Sequence, residues 1–380
     1  MKKIIFVILL TITKISFSQN CNELNGSESD FCWVKTFLIN SPIIDKLDNK
    51  FLNYNYGVNN YYPKGSYVPW GGYYMPLLNG GIATRWQISD TYHPKSNSLL
   101  TWDEVKKMSQ DEISKLSPSE KMDIYMGNKD FAITKNELTR RGPERSNVES
   151  WEGFCNGIRL AGAMLPEPKH SVTVKSKSPD NIFIRFDKAD LKALGGAVYY
   201  YTEYYASLGE NNKRKPDAGQ FDILLRYMLG YNKRPFFMDI KKGEEKWNET
   251  IVGYERKIIK EENHQENTNK TITIRTVLYL LGEIGFDEMN SYTSTEIENK
   301  KYVGKWVYNY TLEVNGNDEI IEGDWKKDSE TTNLFSAYFP DYVWFGGGKG
   351  LDELYLENRY DNNPLLPFFE VQNLFFLSIK

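Results

Sequence analysis

Residues 151–168 read WEGFCNGIRLAGAMLPEP. Glycines flank Cys155 on both sides, and a helical pattern runs from there until Pro166 ends it. This spacing predicts that Cys155 stands at the N-terminus of a helix, where the partial positive charge and the free N–H groups favour an anion. The thiolate is the nucleophilic form of cysteine. The stretch therefore predicts a nucleophile, although a lone cysteine is more often a buried, inert side chain.

The neighbours of Cys155 suit such a site. Trp151 and Phe154 are bulky enough to wall the sulfur, and the side chain of Asn156 is placed to donate to a developing oxyanion, as are nearby backbone N–H groups. Cysteine acyl transferases and papain-like proteases put such a cysteine at a helix start, then a His and an Asp or Asn on following strands. We therefore expect cysteine acyl chemistry.

Composition narrows the class of protein and its partners. The 380 residues allow a full-sized core, and the net charge of -4 comes from interspersed acids and bases. Such a balance offers no basic surface for nucleic acid. Aromatic residues make up 14% of the chain, which favours strand-rich structure. The partner we expect is a protein substrate or a protein of a host or cell wall, and the sequence leaves the oligomeric state open.

The N-terminus has the pattern of a secretory signal. Two lysines precede an apolar run that is too short to span a bilayer, and small or polar residues follow it. Residues 1–18 are therefore predicted to be a signal peptide, and the chain is predicted to be secreted or periplasmic and not membrane-spanning. In an oxidising compartment Cys21 and Cys32 are free to pair, which leaves Cys155 as the odd thiol.

Two further regions are predicted after the signal peptide of residues 1–18. Residues 19–100 form an aromatic, loop-rich region, and residues 101–380 form the catalytic-type domain. Capping boxes predict helices that start after Thr101 and Ser117, and an acidic start predicts a long helix over residues 188–208. Alternation then predicts strands, which are residues 221–229, 234–240, 251–260, 271–281, 302–314 and 319–325. The fold class is α+β: the cysteine helix followed by an antiparallel β-sheet.

Several blocks of the chain, in order, resemble the transglutaminase elicitor family, a group of secreted protein-glutamine gamma-glutamyltransferases. They are GGIATRW, LSPSEKMDIYMGNKDFAITKNEL, WEGFCNGIRLAGAMLPEP, RFDKADLKAL, FFMDIKKGEEKWNETIVGYE, LEVNGNDEIIEGDW and FPDYVWF, between residues 80 and 345. The resemblance implies a papain-like, transglutaminase-type fold. It also implies acyl transfer from a protein glutamine to an amine through a thioester of Cys155. No cofactor and no metal are implied. The run WNETI resembles the family's elicitor segment, but Glu249 and Thr250 depart from its Gln-Pro.

The same resemblance implies the other catalytic residues. The family's aspartate after its second core strand falls on Asp239, and the position of its histidine falls on Asp222. Aspartate cannot relay a proton near neutral pH as imidazole does. His93, His170 and His264 are each read as ordinary surface residues. Two alternatives stay open: a catalytically impaired pseudoenzyme that acts as a binding or effector protein, and a papain-like cysteine peptidase.

Overall fold

The computed structural model describes residues 49–65, 68–200, 206–209, 215–240, 243, 245–327, 339–345 and 363–380. Within them the strands are β1 (Asn60–Tyr61), β2 (Val172–Lys175), β3 (Phe183–Phe186), β4 (Ala206–Leu208), β5 (Phe236–Asp239), β6 (Asn248–Asn263), β7 (Lys270–Leu281), β8 (Val303–Val314), β9 (Ile320–Lys326) and β10 (Tyr342–Phe345). The α-helices are α1 (Trp102–Val105), α2 (Gln110–Ser114), α3 (Pro118–Met126), α4 (Ala132–Asn136), α5 (Cys155–Met164), α6 (Lys188–Tyr199), α7 (Ala218–Leu224), α8 (Ser294–Glu298) and α9 (Phe368–Ile379).

The large sheet is antiparallel at every pairing. Its strands lie in the order β4-β10-β5-β6-β7-β8-β9, and β1 pairs with β6 at its side. The long alternating stretches of the sequence form two consecutive hairpins, β6–β7 and β8–β9, because period-two patterning buries one face of each strand. The predicted mixture of helices and antiparallel sheet is confirmed.

Each face of the sheet carries its own core. On one face the buried residues of α5, α6 and α9 form one cluster with the rings of Phe237 and Trp344 from β5 and β10, and α5 packs against β6. On the other face α7 packs against β8 and β9, where Met238, Val343 and Tyr310 are buried. Neighbouring residues of a strand point to opposite faces, so Phe237 and Met238 belong to different cores. This division decides which side chains can reach Cys155.

The helix starts predicted from capping boxes are confirmed. Thr101 and Ser117 each accept a hydrogen bond from the backbone of a glutamate three residues on, and Pro118 opens α3. The long helix predicted over residues 188–208 is shorter, since α6 ends at Tyr199 and Tyr200 is extended. The strand β4 follows instead, paired with β10.

The strand predicted over residues 221–229 is wrong. Those residues form α7 and a π-helical continuation, Leu225–Tyr231. Asp217 caps α7 by accepting from the backbone N–H of Gln220 at 2.8 Å, a start signal that the apolar run after it obscures. A short, continuous apolar run fits a buried helix as well as a strand.

Candidate active site

Cys155 is the first residue of α5, as its flanking glycines predict. The chain approaches it closely at Tyr74, whose carbonyl oxygen accepts from the Phe154 N–H at 2.6 Å. A Cβ atom on Gly153 would lie 2.4 Å from the Tyr74 ring, so only glycine fits there. On the far side, a Cβ on Gly157 would lie 2.1 Å from the Gly196 carbonyl oxygen of α6. Because both positions are glycine, the start of α5 can pack closely against Tyr74 on one side and against α6 on the other. This close packing fixes the position of the Cys155 thiol.

Two groups contact the sulfur of Cys155. Its thiol donates to the carbonyl oxygen of Lys246 over 3.6 Å, and the side-chain nitrogen of Asn248 donates to the sulfur over 3.6 Å. Burial raises the pKa of the Cys155 thiol, while the hydrogen bonds from Asn248 and the charge of Arg159 oppose that rise. Cys155 is therefore a protonated thiol in the free protein, and hydrogen-bond donors for its thiolate form are already in place.

Asn248 is held in one orientation. Its side-chain oxygen accepts from the Trp344 indole N–H at 2.6 Å and from the Tyr342 hydroxyl at 3.0 Å, while its backbone carbonyl accepts from Arg159 at 3.0 Å. With the oxygen occupied in this way, the amide nitrogen must face Cys155. A buried amide with both ends bonded keeps a defined geometry.

Asp239 lies beside this amide. It is fully buried at the end of β5, directly opposite Asn248 in the antiparallel register, and the two side chains therefore share a face of the sheet. Its carboxylate accepts from the backbone N–H of Trp247 at 3.3 Å. The structure thus brings Asp239 to the residues that contact Cys155.

Asp222 lies elsewhere. It is on α7, in the core of the opposite face of the sheet, and not on a strand beside the thiol. Its carboxylate is bound by Arg256 at 2.6 Å, Arg226 at 2.9 Å and the Tyr310 hydroxyl at 2.6 Å. Layers on the two faces of a sheet are each about 10 Å from it. The expectation that Asp222 meets Cys155 is therefore not met.

Arg226, which Asp222 binds, connects α7 to an earlier segment of the chain. The guanidinium donates to the backbone carbonyls of Phe51, Asn53 and Tyr56, at 2.9, 2.9 and 2.6 Å. Asp222 thus anchors an arginine that ties residues 51–56 to the sheet. Its neighbours hold the pKa of the Asp222 carboxyl below its ordinary value, against the opposing effect of burial.

The two predicted lining residues are both half-buried near the helix start. The side-chain oxygen of Asn156 accepts from the Gly157 N–H at 2.8 Å, and its backbone N–H favours the thiolate of Cys155. Trp151 precedes the helix in the turn that leads to it. A second tryptophan, Trp247, packs edge-on against Tyr74 at 5.7 Å between ring centroids.

No histidine is among the partners of Cys155 in the described part of the chain. His93 contacts the Pro94 carbonyl, His170 contacts the Ser378 carbonyl through its backbone, and His264 contacts Thr271 and Glu313. Within the same ranges, no group of three or more His, Cys, Asp or Glu side chains is arranged for a metal ion. No helix there is long and apolar enough to cross a membrane. Cys21 and Cys32, with the predicted signal peptide, lie outside the described residues.

Sequence reasoning missed Asn248, Arg159 and Tyr74. Asn248 stands in the WNETI run, which was interpreted as a recognition segment and not as part of the site. Arg159 follows Cys155 by one helical turn, a spacing that puts the two side chains on one face of α5. Tyr74 carries no signal of its own within an aromatic loop.

The profile of the transglutaminase elicitor family matches residues 50–354. The fold is similar to the crystal structure of the GP42 transglutaminase from Phytophthora sojae, with a TM-score of 0.61, 17% identity, and coverage of 93% of this chain and 98% of that one. None of the curated proteins matches the chain. The likeness to GP42 supports the fold, and the profile match covers most of the sequence. The chain belongs to the transglutaminase elicitor family.

Proposed function

We propose that this chain is a secreted transglutaminase-type acyltransferase in which Cys155 attacks the side-chain amide of a protein glutamine. The observation that carries the proposal is the sulfur at the start of α5, met by the oriented amide of Asn248. Cysteine acyl chemistry needs an anion-stabilising environment around the thiol. A papain-like arrangement of nucleophile helix and adjoining strands is part of the same proposal.

The proposed reaction has two halves. In the first, the sulfur bonds to the glutamine carbonyl carbon, ammonia leaves with the thiol proton, and a thioester forms. In the second, a lysine amine or water displaces Cys155 and restores the thiol. The amide of Asn248 and the backbone N–H of Asn156 are the donors we assign to the developing oxyanion. Trp151 is assigned to the wall of the site.

Asp239 is assigned to positioning. Its carboxylate accepts the Trp247 N–H and lies opposite Asn248 across the strand pair, so it fixes the backbone that carries the donor amide. Asp222 stays outside the proposed chemistry, because both of its oxygens are bound within the opposite core.

Three observations favour a second candidate, a pseudoenzyme that binds a protein without acyl transfer. Burial raises the pKa of the Cys155 thiol, the thiol donates to Lys246, and no imidazole contacts it among the described residues. General acid-base help is typically worth about 10²- to 10⁴-fold in rate. The enzyme we propose is accordingly a slow one.

Incorporation of a biotinylated alkylamine into a glutamine-rich protein separates the candidates. Acyl transfer predicts slow labelling that Cys155→Ala abolishes. Labelling equal in the wild type and Cys155→Ala would overturn the proposal and leave the pseudoenzyme. Shortened protein products that depend on Cys155 would identify a peptidase instead.

A further inference from the structure

A continuous row of five aromatic side chains runs away from the candidate site. The rings are, in order, Trp247, Tyr74, Tyr73, Phe286 and Trp86. Neighbouring ring centroids are 5.7, 5.1, 5.3 and 6.2 Å apart, and all four pairs meet edge to face. Every ring is half-buried, so each packs below and keeps part of its surface exposed. We call this set the aromatic row.

One end of the aromatic row lies at the thiol. The backbone of Tyr74 binds Phe154, the residue before Cys155, and Trp247 lies between Lys246 and Asn248, the two residues that contact the sulfur. The charge of Cys155 also contributes to the raised pKa of the Tyr74 hydroxyl, after burial and Glu283.

The other end opens into a groove. Phe286 and Trp86 line an open depression of about 570 Å³, together with polar side chains that include Gln87, Asp187 and Asn290. Trp86 is fixed there by its indole N–H, which donates to the buried Asp190 at 2.7 Å. The aromatic row therefore runs from the residues around the thiol to this depression on the surface.

The flank of the row is acidic. Asp90, Glu283 and Asp287 are exposed, and none of them forms an ion pair with another residue that the structure describes. Burial raises the pKa of the Tyr73 hydroxyl, with smaller contributions from Tyr74, Glu283 and Asp90, so two of these carboxylates lie near the middle of the row. Two cations also line the depression at the far end of the row: Arg185, which pairs with Asp187 at 3.0 Å, and Lys188.

We propose that the aromatic row binds an extended polypeptide segment with lysine or arginine side chains, whose reacting glutamine lies at Cys155. The proposal rests on the function proposed above and adds the class of substrate. An extended chain rises about 3.3 Å per residue, so steps of 5.1 to 6.2 Å match roughly every second residue, and the row covers about seven residues. Cationic side chains gain from aromatic faces and from exposed carboxylates.

The test measures binding with the chemistry removed. A fluorescent peptide of about seventeen residues, with a central glutamine and lysines in both arms so that either arm can reach Phe286, is titrated into the Cys155→Ala chain and followed by anisotropy. We expect Phe286→Ala to weaken binding about tenfold, as for an aromatic anchor. Asp287→Asn, an exposed change that spares packing, should weaken it about threefold and reduce its salt dependence. The matched control is Phe369→Ala, an exposed phenylalanine of α9 that should leave affinity unchanged.

Two outcomes would overturn the proposal. One is that the Cys155→Ala chain binds the peptide with the same affinity whether or not it also carries Phe286→Ala or Asp287→Asn. The other is equal binding of a peptide in which glutamates replace the lysines. The assay measures binding without turnover. The peptide-binding proposal can therefore be tested even if the chain transfers no acyl group, and a negative binding result does not contradict the proposed chemistry of Cys155.

Discussion

The side-chain nitrogen of Asn248 lies 3.6 Å from the sulfur of Cys155. Tyr342 and Trp344 hold the opposite end of that amide, so its direction is fixed before any substrate arrives. Such preorganised donors stabilise charge that develops at the reacting atom. The two residues come from a helix start and a strand start that are 93 positions apart in the chain.

The first prediction concerns the titration of Cys155. Burial raises the pKa of the thiol, so iodoacetamide labelling should be slow near pH 7 and increase at pH values above about 8.5. Removal of the donor in Asn248→Ala should raise the apparent pKa by about one unit, since a hydrogen bond to a charged group is worth roughly 1.5–3 kcal/mol. The pH profile of labelling measures both values. Asn299→Ala, at the end of α8, is the control, and an apparent pKa unchanged by Asn248→Ala would contradict the assignment.

The second prediction concerns Gly157. Because an added Cβ would meet the Gly196 carbonyl oxygen at 2.1 Å and the Tyr200 nitrogen at 2.7 Å, Gly157→Ala must move α5 or α6. We expect a loss of roughly 3 kcal/mol or more in the free energy of unfolding, read from urea denaturation. Gly304→Ala is the control, since its Cβ meets only a distant atom at 3.9 Å. Equal stability of both variants would show that the two helices pack less closely than described.

The third prediction concerns Asp222. Asp222→Ala leaves Arg226 and Arg256 buried without their carboxylate, which should cost roughly 3–5 kcal/mol of stability. The exposed pair of Lys215 and Asp324 provides a control, because Asp324→Ala should cost no more than about 1 kcal/mol. Asp222→His should also destabilise and bring no gain in acyl transfer, since the position faces the wrong core. A gain of tenfold or more in amine incorporation would refute this placement.

The same carboxyl predicts an acid response. Its pKa is lowered in the folded state, so its contribution to stability is complete above the unfolded pKa of about 3.9 and is lost as the pH falls further. Urea denaturation at pH 6 and at pH 3 should therefore show a smaller difference for Asp222→Asn than for the wild type. An identical pH response in both would mean that Asp222 does not carry this effect.

The fourth prediction concerns processing. We expect the secreted chain to begin at or near Gln19, after the small residue that follows the apolar run. N-terminal sequencing of the exported protein gives the answer. A chain that keeps Met1, or that begins at a lipid-modified Cys21, would be incompatible with it.

The sequence predicted those parts of the fold that have local causes. The capping boxes at Thr101 and Ser117, the hairpins of the sheet and the helix start at Cys155 each depend on residues a few positions apart. The apolar run after Asp217 predicts a strand but forms a helix, because a helix and a strand buried on all sides need the same composition. Asn248 escaped notice since its role depends on Tyr342 and Trp344, which only the folded sheet brings to it.

The most direct test of the central claim is intact-protein mass spectrometry after incubation with a glutamine peptide at low amine concentration. If Cys155 forms the acyl-enzyme, the protein gains the mass of the peptide less one ammonia. The adduct then maps to Cys155 and disappears on treatment with hydroxylamine, which cleaves thioesters. If the wild type gains no such mass, or gains it equally in Cys155→Ser, then Cys155 is not the nucleophile and the proposed function is wrong.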